Sequence, residues 1–124
     1  MKKFIDSVDT LLATSLRGFA KAHADIVELN PAPCFIKRLQ PKSGKVAIIS
    51  GGGSGHEPLH SGLVGLGMLD AACPGQIFTS PTPDQMMAAA DAVDSGAGVL
   101  FVVKNYAGDV MNFEMAAEMV SMPV

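Results

Sequence analysis

The residues able to do chemistry in this sequence fall in two short stretches. The first is Ser50-Gly51-Gly52-Gly53-Ser54-Gly55-His56-Glu57-Pro58, and the second is Lys104-Asn105-Tyr106-Ala107-Gly108-Asp109. Consecutive glycines let backbone approach a small polar ligand closely, with N–H groups exposed as donors. His56 stands at the mouth of that loop and can accept or donate a proton near neutral pH. Asp109 can be a helix N-cap, a hydrogen-bond acceptor or a base, and Lys104 brings a positive charge to a strand end. Each has a plainer reading alone: a cap for Asp109, a structural hydrogen bond for His56, a solvated charge for Lys104. Together on one edge of a sheet they suggest a site for a small polyhydroxylated or carbonyl compound.

More familiar readings of the glycine run fit less well. A phosphate-binding P-loop needs a lysine after its last glycine, and none follows Gly55. A dinucleotide fingerprint places a glycine where His56 stands. A nucleophile elbow fails at the same position, and in a Ser54, His56 and Asp109 triad the base would lie two residues from its nucleophile, poorly oriented. His56-Glu57-Pro58-Leu59-His60 does match the H-E-x-x-H zinc-hydrolase pattern, which requires both histidines on one helical face. Glycines precede it and Pro58 interrupts it. A helix beginning at Pro58 would leave His56 in the loop and His60 in the first turn, so no metal ligands are assigned. The zinc hydrolase on His56, Glu57 and His60 stays as a rival enzyme reading, and a small-ligand binding module as a rival without catalysis.

These stretches must be positioned by the elements before them. Apolar residues at Phe4, Ile5, Val8, Leu11, Leu12, Leu16, Phe19 and Ala20 recur in threes and fours, predicting an amphipathic helix. His23 reads as its polar end. Residues 24–45, with Pro31, Pro33 and Pro41, read as irregular, with a short strand at Cys34–Leu39. Val46–Ile49 is apolar throughout, like a strand of a parallel sheet covered on both faces, and runs directly into the glycines. A Gly-broken segment, Leu59–Leu69, precedes a short strand expected at Ile77–Ser80. Thr82, Pro83 and Gln85 together signal a helix start. That helix runs to Asp94 and stops at Ser95-Gly96. Gly98–Val103 is a second apolar strand, and a last helix begins near Asp109, with Phe113, Ala116, Ala117 and Val120 on one face. The methionines at 111, 115, 119 and 122 fall at helical spacing and read as packing. Alternating strands and helices predict an α/β protein with a mainly parallel sheet flanked by helices. Ligands of such sheets bind at the strands' carboxyl ends, so both unusual loops should open on the same edge.

The 124 residues suit one domain. With 9 basic and 12 acidic side chains the net charge is −3, which argues against a nucleic-acid-binding surface. Apolar residues at 48% against 17% charged argue against disorder. No apolar run approaches the ~20 residues of a membrane span, and Asp6 and Asp9 follow Lys2 and Lys3 too closely for a signal peptide. Cys34 and Cys73 make neither a disulfide framework nor a metal spacing. They read as small apolar residues in a reducing cytoplasm. The last helix is followed only by Met122-Pro123-Val124, too short for a returning strand, so residues 1–124 are expected to be an incomplete unit.

Three long motifs carry a resemblance. Ser50–Pro58, Ala72–Asp84 (Ala-Cys-Pro-Gly-Gln-Ile-Phe-Thr-Ser-Pro-Thr-Pro-Asp) and Val103–Glu114 resemble the substrate-binding subunits of dihydroxyacetone kinases. The likeness extends from Met1-Lys2-Lys3 to about residue 120. It is greatest to the bacterial form supplied with phosphoryl groups by the phosphoenolpyruvate sugar system, although ATP-using single-chain kinases share this half. The resemblance implies that dihydroxyacetone lies in the glycine loop against Gly53, Ser54, Gly55 and His56, with Lys104 and Asp109 completing the edge. It implies that His56 accepts the proton of the hydroxyl being phosphorylated, and that a histidine of a later domain holds the ketone as a hemiaminal. This chain itself would bind no cofactor. A nucleotide-binding subunit would carry ATP or ADP and Mg²⁺, and a phosphoryl-donor protein would act with it. The full-length subunit would be a cytoplasmic homodimer, and the isolated 124-residue chain, lacking the later domain, is expected to be inactive.

Overall fold

The computed structural model describes residues 1–41 and 43–124. In chain order the elements are α1 (Leu11–Ala22), β1 (Val27–Pro31), β2 (Cys34–Arg38), β3 (Ala47–Ser54), a single 3₁₀ turn at Ser61–Leu63, β4 (Ala71–Ile77), α2 (Pro83–Val93), β5 (Val99–Val102) and α3 (Ala107–Met119). The strands form one five-stranded sheet in the order β1-β2-β4-β3-β5. The α/β class holds, with a mixed sheet. β4, β3 and β5 are parallel, and the β1–β2 hairpin joins β4 antiparallel.

Period-two alternation sorts side chains onto two faces. Ala47 and Ile49, Ala71 and Cys73, Phe35 and Val99 meet Met86, Ala89, Ala90 and Val93 of α2 and Phe113 and Ala116 of α3. Val27, Ile36 and Ala72 face the other way, with Leu16 of α1 buried against them. Leu12, Phe19 and Ala20 join that second core, which explains why the helix begins at Leu11 and not at Phe4. The earlier apolar positions have no sheet beneath them, and Phe4 and Val8 are exposed. A short helix is marginal without tertiary packing.

Four further differences from the sequence reading have local causes. The segment read as irregular holds β1, whose Pro31 is tolerated because β1 is an edge strand. β3 does not stop at Ile49 but runs through the glycines to Ser54, because each glycine admits a close neighbour. A Cβ on Gly51 would lie 2.6 Å from the Cys73 carbonyl oxygen, and one on Gly53 would lie 2.7 Å from the Thr79 nitrogen. β4 occupies 71–77, and the turn that leaves it begins at Phe78, so the strand expected at Ile77–Ser80 lies earlier in the chain. β5 is an edge strand, with Leu100 and Val102 half exposed, so its continuous apolar run does not mark burial on both sides.

α2 starts where Thr82, Pro83 and Gln85 place it, and Gln85 does more than cap. Its Oε1 accepts from the Thr82 N–H at 3.0 Å, while its Nε2 donates to the carbonyls of Cys34 (2.7 Å) and Pro74 (2.8 Å). β2 and β4 are paired only at Ile36–Ala72 and Lys37–Ala71. Gln85 therefore bridges the two strands where Pro74 lies past that ladder. Among the described residues no helix is long and apolar enough to cross a membrane.

Candidate functional site

The carboxyl ends of β3, β4 and β5 and the start of α3 enclose a cavity of about 340 Å³, lined by Gly53, His56, Phe78, Ser80, Lys104, Tyr106 and Asp109. The two loops expected to open on one edge do so. β3 delivers Gly53 and His56, the end of β5 delivers Lys104, and the first turn of α3 delivers Asp109.

Asp109 is not a cap. The position before α3 is Tyr106, whose side chain caps nothing. Asp109 is 1% exposed, and neither carboxylate oxygen has a hydrogen-bond partner. Its nearest cation is Lys104, Nζ to Oδ2 at 3.5 Å, too long for a charge-assisted hydrogen bond. A buried carboxylate without donors is costly, and native interiors rarely leave one so. The Ser80 hydroxyl is likewise buried and unpartnered. It approaches within 2.7 Å of where a Cβ on Gly108 would lie, a position left open only because residue 108 is glycine. Unpaired acceptors and a hydroxyl beside an ammonium are the complement of a small molecule bearing hydroxyls and a carbonyl.

His56 is exposed at the cavity mouth, its ring edge-on to Phe78 with centroids 5.1 Å apart. Phe78 has φ +51°, a left-handed conformation that costs an aromatic residue roughly 1–3 kcal/mol and recurs at functional sites. Its N–H donates to the Ser54 carbonyl at 2.8 Å, tying the β4 exit to the glycine loop. Ser54 and Gly55 shape the loop and do not line the cavity. The Ser54 hydroxyl donates to the Gly75 carbonyl at 2.7 Å, and the Gly55 N–H is held by the Glu57 carboxylate at 3.1 and 3.2 Å. A Ser54–His56 nucleophile pair is therefore not formed. Residues 55–60 are turns, so His56 and His60 do not share the helical face that zinc-hydrolase chemistry requires.

His60 is buried over Gly52, next to Lys104. Burial, then the Lys104 charge, hold its imidazole below the ordinary histidine range. Asp109 opposes that shift and His56 adds to it. Both cysteines are free, and burial pushes their thiols up, so neither is a ready nucleophile. A larger hollow of about 430 Å³ lies between α1 and the 57–62 turn. Its one ionisable side chain is Glu57, already engaged by Gly55.

Sequence reasoning missed Phe78, Ser80 and Tyr106. The signal existed for Ser80: with β4 placed at 71–77, the same strand-end rule that located His56 and Lys104 also reaches residue 80.

The match to proteins of known structure and function is extensive. The chain is 53% identical over 120 residues to the PEP-dependent dihydroxyacetone kinase, dihydroxyacetone-binding subunit DhaK, of Escherichia coli (strain K12), across 96% of this chain and 33% of that protein. The dihydroxyacetone kinase from C. freundii, solved in complex with AMP-PNP and Mg²⁺, superposes with a TM-score of 0.86 at 41% identity, over 94% of this chain and 22% of that one. The dihydroxyacetone kinase operon co-activator Dha-DhaQ superposes with a TM-score of 0.85 at 34% identity, over 90% of this chain and 35% of that one. The chain spans about a third of the length of the curated relatives it matches. The Dak1 domain pattern matches residues 17–123, and the chain belongs to the Dak1 domain family.

Proposed function

We propose that this chain carries the triose pocket of a dihydroxyacetone kinase, and that dihydroxyacetone is bound there for phosphorylation to dihydroxyacetone phosphate. One observation carries the reading: the fully buried Asp109 carboxylate has no hydrogen-bond donor and faces a cavity shared with His56 and Lys104. Dihydroxyacetone offers two hydroxyl donors and one carbonyl acceptor. The carboxylate suits the hydroxyls, the Lys104 ammonium suits a developing or resident negative oxygen, and the Ser80 hydroxyl serves either way. His56, at the open side, takes the proton from the hydroxyl that attacks the phosphoryl group. Asp109 is the single carboxylate in the cavity, and among the described residues no three ligating side chains cluster. In the same reading ATP or ADP and Mg²⁺ are carried by a nucleotide-binding partner subunit, which acts with a phosphoryl-donor protein. A homodimeric full-length subunit in the cytoplasm is part of the same reading.

The test uses the full-length protein with its partner proteins and follows dihydroxyacetone phosphate. His56→Ala should lose about 10²–10⁴ in turnover while unfolding at the wild-type denaturant midpoint. Retention of more than about a third of wild-type turnover ends the proton-acceptor role.

A second reading, ligand binding without phosphoryl transfer, is favoured by the likeness to the operon co-activator. It expects dihydroxyacetone to bind while no product forms with any partner set.

A further inference from the structure

One ionisable side chain at this edge has no part in the proton transfer or the ligand contacts above. His60 is 9% exposed, and its ring lies over Gly52 on the same side as Lys104, a residue of the cavity lining. A Cβ on Gly52 would lie 2.8 Å from His60 Cε1 and 2.5 Å from Lys104 Nζ, so imidazole and ammonium are neighbours over the same stretch of β3 backbone. Lysine is a point charge on a flexible stem with no preferred fork geometry. Its position is therefore set by what flanks it: Gly52 beneath, Asp109 ahead at 3.5 Å, and His60 beside it. The charged and titratable groups that face His60 are Lys104 from the end of β5, Asp109 from α3 and His56 from the glycine loop. Two of the three disfavour a second positive charge there. A neutral ring can stand against an ammonium, whereas an imidazolium would repel it and compete for the unpaired Asp109 oxygens.

We propose that His60 is a positioning residue that, as a neutral imidazole, holds the Lys104 ammonium over Gly52 and against Asp109, where a bound triose meets it. The proposal rests on the reading of the cavity as a triose site, and its test has one arm that does not.

That arm follows the His60 ring resonances by NMR across pH in the 124-residue chain. The midpoint should lie below the ordinary histidine value of about 6.5, and should rise by about half a unit or more in Lys104→Gln, because the neighbouring charge is gone. A midpoint that Lys104→Gln leaves in place overturns the coupling, whatever the cavity binds. The second arm measures turnover in the full-length protein with its partners. His60→Ala should raise KM for dihydroxyacetone about tenfold with kcat little changed, His60→Gln should restore most of the loss, and His60→Ala should add nothing in a Lys104→Ala background. Fully additive losses, or no effect of His60→Ala on KM, overturn the proposal. Should His60→Ala fail to fold, His60→Gln and the NMR arm decide it. A wild type that never phosphorylates dihydroxyacetone sinks the functional reading and leaves the first arm standing.

Discussion

Asp70 and Asp109 are both 1% exposed, Asp70 at the amino end of β4 and Asp109 in the first turn of α3, beside the strands' carboxyl ends. Their surroundings differ in kind. At the amino ends, Asp70 accepts from Arg38 Nη1 at 3.0 Å and from the Ile48 N–H at 2.8 Å, and is paired with Lys45. Its backbone adds two more links, donating to the Ile48 carbonyl at 2.8 Å and accepting from the Arg38 N–H at 2.9 Å. One residue thus fastens β2, β3 and β4 together. At the carboxyl ends, Asp109 has one distant cation and no donor at all. The same side chain at the same depth is satisfied by the fold in one place and left without a donor in the other. A buried acceptor that the protein could have paired, and did not, is a better pointer to a binding site than burial or charge alone.

The sharpest way to break this comparison is to remove each carboxylate. Asp70→Ala strands Arg38 and Lys45 against the sheet and should cost about 3–5 kcal/mol of stability, read from urea unfolding. Asp109→Asn should leave stability within about 1 kcal/mol of wild type, or raise it, while abolishing detectable dihydroxyacetone binding. Equal stability losses would show that Asp109 is as structural as Asp70.

Acid removes the Asp70 interaction without mutation. Burial alone would push this carboxyl up. The hydrogen bonds from Lys45, Ile48 and Arg38 outweigh it and hold the carboxyl below its ordinary value. Because the folded value is the lower one, the stabilisation is fully present above the unfolded carboxylate pKa of about 3.9. It is lost as pH falls through the folded value beneath it. Unfolding free energy measured from pH 6 to pH 2 should therefore fall more steeply below about pH 4 in wild type than in Asp70→Asn.

Adjacent glycines of β3 give a smaller contrast of the same type. A methyl group on Gly51 meets the Cys73 carbonyl, which is backbone, and Gly51→Ala should cost about 1–3 kcal/mol. On Gly52 it meets the free ends of Lys104 and His60, which can move. Gly52→Ala should therefore cost under about 1 kcal/mol in stability yet weaken ligand binding, by calorimetric titration. Gln85→Leu probes the bridge between β2 and β4, away from the cavity. It leaves the Cys34 and Pro74 carbonyls without their donor and should cost about 1–2 kcal/mol, with ligand binding unchanged.

Much of the fold and part of the site were legible in the residues. The start of α2 is spelled by Thr82, Pro83 and Gln85, and its end by Ser95-Gly96, because caps and turns are made by neighbours in sequence. The apolar runs of β3 and β5, each leading into an unusual loop, were enough to place His56, Lys104 and Asp109 on one edge. The three long motifs carried the family. Long-range pairing decided the rest. Nothing local tells that β5 is an edge or that Pro31 ends a strand. Nor does anything local show that Gly51 to Gly53 are strand residues, since each depends on which backbone arrives beside it. The most consequential facts about the site are of that tertiary kind. That Asp109 is buried without a donor, that Ser80 reaches the same cavity, and that His60 sits beside Lys104 over Gly52 follow only when strands separated in sequence are brought side by side. The sequence determines which groups are available and which edge they share. Packing determines which of them are paired off by the protein and which remain for a ligand.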